Sequence, residues 1–360
     1  MFRAVRAAVP VSLLALPVGC ATPRPTDRPV YFPPPPAAPH AVWLKSFNGL
    51  SELVTPRRTF WDILRGAAAG PTIGRPAGIA YAAGHLYLCD TEHNVVQDWD
   101  LSSGTRQWLG REGETVLQKP VDVAVDAART VYVADTGRAE VVAFDPRGRP
   151  LRRFKPPGRE AYRPVALALA GETLCAADIA AHRVDIFSLS TGEHLGEFGH
   201  IGTEPGAFYY PMGLAADARG RLYLSDMMNA RVQVFGRNRG DHNGPAYRVL
   251  LSMGKAGDRY GDMGQPRHLA VGPDGVVFIA DAGFSRVQLY DSSGRLLMLL
   301  GGPDDTPGGT PLPVGVAVAE DLPESIKRSV PADFRADYFL FVSNTVGEMR
   351  LSLFAIGTRR

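Results

Sequence analysis

Three cations of this 360-residue chain occupy the same local setting. Arg75, Lys119 and Arg163 each precede a proline that opens a Pro-x-x-(Ile/Val/Leu)-Ala stretch. Tyr210, Gln265 and Leu312 fill that place in three further copies. Arg267 and His268 follow the proline of the fifth copy, and His93, Arg138, His182 and Asn229 lie just after a recurring Asp. Cations gathered at one rim suit a carboxylate, a phosphate or a sugar acid. The candidate ligand-binding set is therefore Arg75, Lys119, Arg163, Arg267, His268, His93, Arg138, His182, Tyr210 and Asn229. The alternative is a solvated rim whose charge is offset by the repeated Asp residues.

Other chemistry is thinly represented. No G-x-S-x-G, H-E-x-x-H or phosphate-cradling glycine loop occurs. Asp241-His242-Asn243-Gly244 and Asp304-Asp305 read as turns rather than ion sites. Cys89 and Cys175 fall on strands of equal rank in non-adjacent repeats, too far apart for a disulfide, and read as buried thiols. No metal, cofactor or catalytic residue is expected.

The elements that must position these residues come from the repeat. The six copies begin at Pro76, Pro120, Pro164, Pro211, Pro266 and Pro313. A second apolar strand follows each and ends at Asp90, Asp135, Asp178, Asp226, Asp281 or Asn344. The Pro-to-Asp spacing is 14 or 15 residues in the first five copies, and the sixth carries an insertion. Proline lacks an N–H and so suits the first residue of a strand. Each Asp is expected to cap the turn after it, and Arg183, Arg231 and Arg286, five residues on, are expected to find ion-pair partners. Third strands such as EVVAFD and RVQVF alternate as half-buried strands do, and short fourth strands follow. Four antiparallel strands per unit make a propeller blade, so the fold class is all-β, a six-bladed β-propeller.

The stretch PGAFYYPMGLAADARGRLYLSDMMNARVQVF, Pro205 to Phe235, resembles the NHL repeat. The resemblance covers roughly residues 70–357 and implies a fold shared by many unrelated functions. Peptidylamidoglycolate lyases resemble this architecture and imply zinc-binding His beside the strand-opening proline. Here those places hold Ala77, Val121, Val165, Met212, Arg267 and Val314. Gluconolactonase-like propellers imply a Glu in the first strand, which here reads RPAGIAYA.

The sixth blade lacks a fourth strand, and Val42–Phe47 is expected to supply it, closing the ring and removing its edges. Thr59 to Asp62 resembles a capping box for a short helix. Upstream, two Arg and an apolar run end in Val18-Gly19-Cys20, the layout of a secretory leader with a lipobox-like end. The expected organisation is a leader over 1–20, a Pro-rich linker over 21–40 and a propeller over 41–357. The propeller includes a closing strand and helix over 41–69, with blades starting near 73, 117, 161, 208, 263 and 310. Cys20 is the expected lipid site, anchoring the chain in a bacterial envelope, facing the periplasm from the outer membrane. Cleavage after Ala21 would instead leave it soluble in the periplasm.

Charged residues at 21% and hydrophobic ones at 45% exclude a wholly disordered chain. There are 39 basic and 37 acidic residues, and two of the basic ones, Arg3 and Arg6, lie in the leader. A nearly neutral propeller lacks the basic footprint of a nucleic-acid binder. The expectation is a non-enzymatic scaffold that presents one face to a protein, peptide, glycan or small anionic ligand. The alternative is a hydrolase or lyase with a site in the channel.

Overall fold

The computed structural model describes residues 29–34, 36–54, 72–113, 115–238 and 247–360. Two strands, β1 (Val30–Phe32) and β2 (Ala41–Phe47), come first, followed by the short helix α1 (Leu50–Leu53). Blade one holds β3 to β6 (Pro76–Ala82, His85–Asp90, Val95–Asp100, Thr105–Leu109). Blade two holds β7 to β10 (Pro120–Val125, Val131–Asp135, Glu140–Phe144, Pro150–Phe154). Blade three holds β11 to β14 (Pro164–Ala170, Thr173–Asp178, Arg183–Ser188, His194–Phe198). Blade four holds β15 to β18 (Pro211–Ala216, Leu222–Asp226, Arg231–Arg237, Tyr247–Met253). Blade five holds β19 to β22 (Pro266–Val271, Val277–Asp281, Arg286–Tyr290, Leu296–Leu300). Blade six runs β23 (Pro313–Ala319), β24 (Phe334–Asn344) and β25 (Leu351–Arg359), with the helix α2 (Glu324–Lys327) inside its insertion. Every strand pair is antiparallel, and the innermost strands meet in the cyclic order β3, β7, β11, β15, β19, β23 and back to β3. The molecule is a six-bladed β-propeller.

β2 lies against β25, pairing Ala41 with Ile356 through Phe47 with Leu351. Ala41, Val42 and Phe47 are fully buried there, so the N-terminal strand completes blade six. β1 then adds a fifth strand outside β2, with Val30 opposite Trp43. That strand lies within the stretch 21–40 read as linker; its alternation was too short to register amid prolines. Thr59–Asp62, Cys20 and Asp241–Gly244 lie outside the described residues. Asp304 accepts a hydrogen bond from Thr306, and Asp305 accepts the Glu348 N–H, as turn residues do.

Six apolar clusters fill the spaces between consecutive blades. They explain one departure from expectation. The third strands are not half-buried: β9 and most of β5, β13, β17 and β21 are covered on both faces. Their alternating polar residues turn inward and are satisfied there. Gln288 donates to the Asp262 carbonyl (2.9 Å) and to Asp281 (2.7 Å). Half-exposed alternation belongs instead to the fourth strands, such as β10 and β14. Cys89 and Cys175 are buried and free, and burial pushes both thiols above their ordinary pKa.

Candidate functional site

The residues before the six prolines occupy one equivalent position. In every blade their carbonyl accepts the N–H of the residue that follows the second strand. The six bonds are Thr91 to Arg75 (2.9 Å), Thr136 to Lys119 (3.1 Å), Ile179 to Arg163 (3.2 Å), Met227 to Tyr210, Ala282 to Gln265 and Thr345 to Leu312 (each 3.1 Å). Inner-strand starts and second-strand ends therefore share one face.

The repeated Asp residues fasten this face together. Asp135 accepts N–H bonds from Gln118 (2.7 Å), Lys119 (2.8 Å), Gly137 (3.0 Å) and Arg138 (3.2 Å). Asp90 likewise takes Gly74, Arg75, Glu92 and His93. Burial alone would raise the Asp90 pKa, but the Gly74 N–H and the His93 ring outweigh it and hold it below the usual value. Asp90, Asp135, Asp178 and Asp281 thus cap their turns, as expected, and also grip the strand start, whereas Asp226 takes the Tyr209 N–H and the Asn229 and Arg231 side chains without capping its turn's backbone. Only Arg231 pairs with its Asp, at 2.9 Å from Asp226. Arg183 reaches Glu197, and Arg286 stacks on Phe284.

These carboxylates bond the backbone N–H groups of Arg75, Lys119 and Arg163 rather than their charged side chains. Arg75, Lys119 and Arg163 are exposed, and none of the three forms an ion pair among the described residues. Together with Arg267 and His268 they line one cavity of about 280 Å³ at the mouth of the central channel. Just inside the rim stand Ala77, Val121, Val165, Met212 and Val314. These apolar side chains hold the place after the proline in five blades, and Arg267 holds it in blade five, the one left over. Arg267 is half-buried, its Nε is enclosed without a hydrogen-bond partner, and burial lowers its pKa. A guanidinium nevertheless stays charged there.

At the cavity floor, His268 of β19 meets Asp122 of β7, with Nε2 3.1 Å from Oδ1. Asp122 is 1% exposed, and its other oxygen accepts the Leu167 N–H at 2.7 Å. The His268 Nδ1 faces the Val316 N–H at 3.4 Å. Burial depresses the His268 pKa, but the Asp122 carboxylate more than offsets it, so the net shift is upward. Sequence reasoning missed Asp122. The signal lay two places after each proline: Gly78, Ala166, Gly213 and Gly315 are small, while Asp122 and His268 stand in opposite blades.

Five of the ten candidate residues therefore converge, and five do not line the cavity. His93 bonds Asp90 (2.8 Å), Arg138 binds Glu140 (2.7 Å), and Asn229 bridges Gly202 and Asp226. His182 and Tyr210 join Tyr209 in an aromatic triangle with ring centroids 5.4 to 5.6 Å apart. Among the described residues, Asp185, His194 and Glu197 lie close enough to share a cation, but Arg159 already binds both carboxylates.

Comparison with known proteins extends this description at the level of fold. No family model matches the chain. Protein SUPPRESSOR OF QUENCHING 1, chloroplastic, of Arabidopsis thaliana is 24% identical over 63% of this chain, and the chain spans only 26% of that protein's length. A gluconolactonase of Xanthomonas campestris superposes with a TM-score of 0.55 at 16% identity, covering 89% of this chain and 90% of that one. Virginiamycin B lyase of Staphylococcus aureus superposes with a TM-score of 0.53 at 10% identity, covering 78% and 95%. A Bacteroides thetaiotaomicron protein of unknown function reaches 0.59 at 16% identity, covering 87% and 75%. This chain thus shares its propeller fold with lyase- and gluconolactonase-type enzymes.

Proposed function

We propose that this propeller is a binding scaffold of the NHL-repeat type that captures a small organic anion at its channel mouth. The observation behind this reading is a set of four cations, Arg75, Lys119, Arg163 and Arg267, on one cavity without a carboxylate partner among the described residues. Like charges held close repel one another, and an anion removes that repulsion. We further propose that Cys20 is lipidated and tethers the scaffold in a bacterial envelope.

A lyase or hydrolase reading is supported by the fold shared with the enzymes named above. The channel chemistry favours binding. The obvious proton carrier, His268, has Nε2 on Asp122 and Nδ1 against the Val316 N–H, leaving no free nitrogen toward a substrate. The test is thermal shift with acetate, phosphate and acidic peptides. Wild type should be stabilised by at least one anion. Changing Arg75, Lys119 and Arg163 together to Gln should leave Tm equal or higher and weaken that stabilisation. A wild type indifferent to every anion, beside a triple variant that melts lower, would show the rim to be structural. Catalysis abolished by a chelator would favour the enzyme.

A further inference from the structure

The cavity is layered, and the layers specify what kind of anion fits. Outermost are Arg75, Lys119 and Arg163, all exposed. Exposed cations are screened by salt and hold a ligand weakly, so they steer more than they select. Beneath them lies the collar of Val121, Val165, Met212 and Val314, half-buried and apolar. Polar atoms around this collar are largely spent. The Thr91 and Thr136 hydroxyls donate to the Arg75 and Lys119 carbonyls, while the Thr345 hydroxyl is sealed from solvent without a partner and so out of a ligand's reach. A hydroxyl-rich ligand would lose water there and gain few hydrogen bonds in return.

Arg267 interrupts the collar on one side. It is the only cation at that depth among the described residues lining the cavity. Its Nε is sealed from solvent, so an anion entering the cavity would meet the terminal nitrogens, which are not so enclosed and to which no hydrogen bond is formed among the described residues. A carboxylate can meet a guanidinium through two parallel bonds. At about 280 Å³ the cavity has the volume of roughly nine waters.

Resting on the anion-binding reading above, we propose that the ligand is a small carboxylic acid with an apolar body. Its carboxylate pairs with Arg267 and its body lies against Val121, Val165, Met212 and Val314. Sugar acids and inorganic phosphate fit worse, because neither presents an apolar surface to the collar.

The experiment is calorimetric titration of the full chain with acetate, butyrate, hexanoate, gluconate and inorganic phosphate, Tm being recorded for every variant. Affinity should rise roughly fourfold for each buried methylene from acetate to hexanoate. Gluconate, with the same charge and more atoms, should bind no tighter than acetate, and phosphate should bind weakest. Arg267→Gln should abolish hexanoate binding with Tm equal or higher. Val121→Thr with Val165→Thr should flatten the chain-length dependence while acetate affinity persists. Equal affinities from acetate to hexanoate, gluconate matching hexanoate, phosphate binding tightest, or hexanoate binding unaltered in Arg267→Gln would each overturn the inference and leave the anion site standing. Binding of no anion at all would overturn that site and this inference with it.

Discussion

Asp122 and His268 belong to blades on opposite sides of the ring, yet their side chains meet 3.1 Å apart and close the channel floor. Room for the pair comes from small neighbours. A Cβ on Gly78 would collide with the Asp122 carboxylate. The pair therefore ties β7 to β19 across the axis, while neighbouring blades are joined by their apolar clusters.

That tie should titrate. The His268 pKa is raised, so the folded protein holds the proton more tightly than the unfolded chain. Its contribution to stability is fully present below the ordinary value of 6.5 and is lost as pH rises through the elevated folded value. Over the same window the floor changes from a neutral pair to a net negative charge beneath the anion site. Tm and anion affinity should both fall as pH rises above 6.5 in the wild type. In His268→Gln the fall should be smaller for both. Parallel pH profiles for wild type and variant would show that His268 does not titrate with the tie.

The Asp clamps predict a different kind of loss. Asp135→Ala leaves four N–H groups without their acceptor and should cost about 3 kcal/mol. It also removes a negative charge beside Lys119 at the rim, so the anion affinity of the folded variant should rise. Urea denaturation and calorimetric titration of the variant provide the check. A loss under ~1 kcal/mol would mean that water replaces the carboxylate.

Much of this was legible because the repeat carries physical reasons. Proline at a strand start and Asp at a strand end each satisfy backbone requirements, so they recur at fixed spacing and mark the blades. Arg75, Lys119 and Arg163 stood out because nothing in that pattern calls for a cation. Asp122 was harder to find. Its role depends on the ring bringing β7 opposite β19, and no local periodicity encodes a contact 146 residues away (Asp122 to His268). His93, Arg138 and Asn229 were placed on the right turns, but their partners lie on the same turns or on loops before the inner strands. A residue's phase in the repeat locates its backbone without saying what its side chain will meet.

The proposed anchor is testable apart from the cavity. An apolar run ending in Val18-Gly19-Cys20, with Ala21 and prolines after it, motivates lipidation. Metabolic labelling with a palmitate analogue should mark the wild type, and Cys20→Ser should release the chain from membranes. An unlabelled wild type whose N-terminus is Thr22 would make it a soluble periplasmic protein instead.

The closing strand offers the most direct test of the ring. β2 contributes Ala41, Val42 and Phe47, all fully buried, and its ladder to β25 covers what would otherwise be an open edge of blade six. Removing large buried apolar side chains costs about 2–5 kcal/mol each. An exposed edge also invites pairing with other chains. Chains beginning at residue 37 and at residue 52 should therefore differ sharply. The first loses only β1 and should melt within a few degrees of the full chain. The second loses β2 and should melt roughly 10 °C lower or more, since each kcal/mol shifts Tm by about 2–4 °C at this size. It should also scatter light on standing. Circular dichroism melts with light scattering supply both readings. Equal melting temperatures would mean that blade six closes without its N-terminal strand.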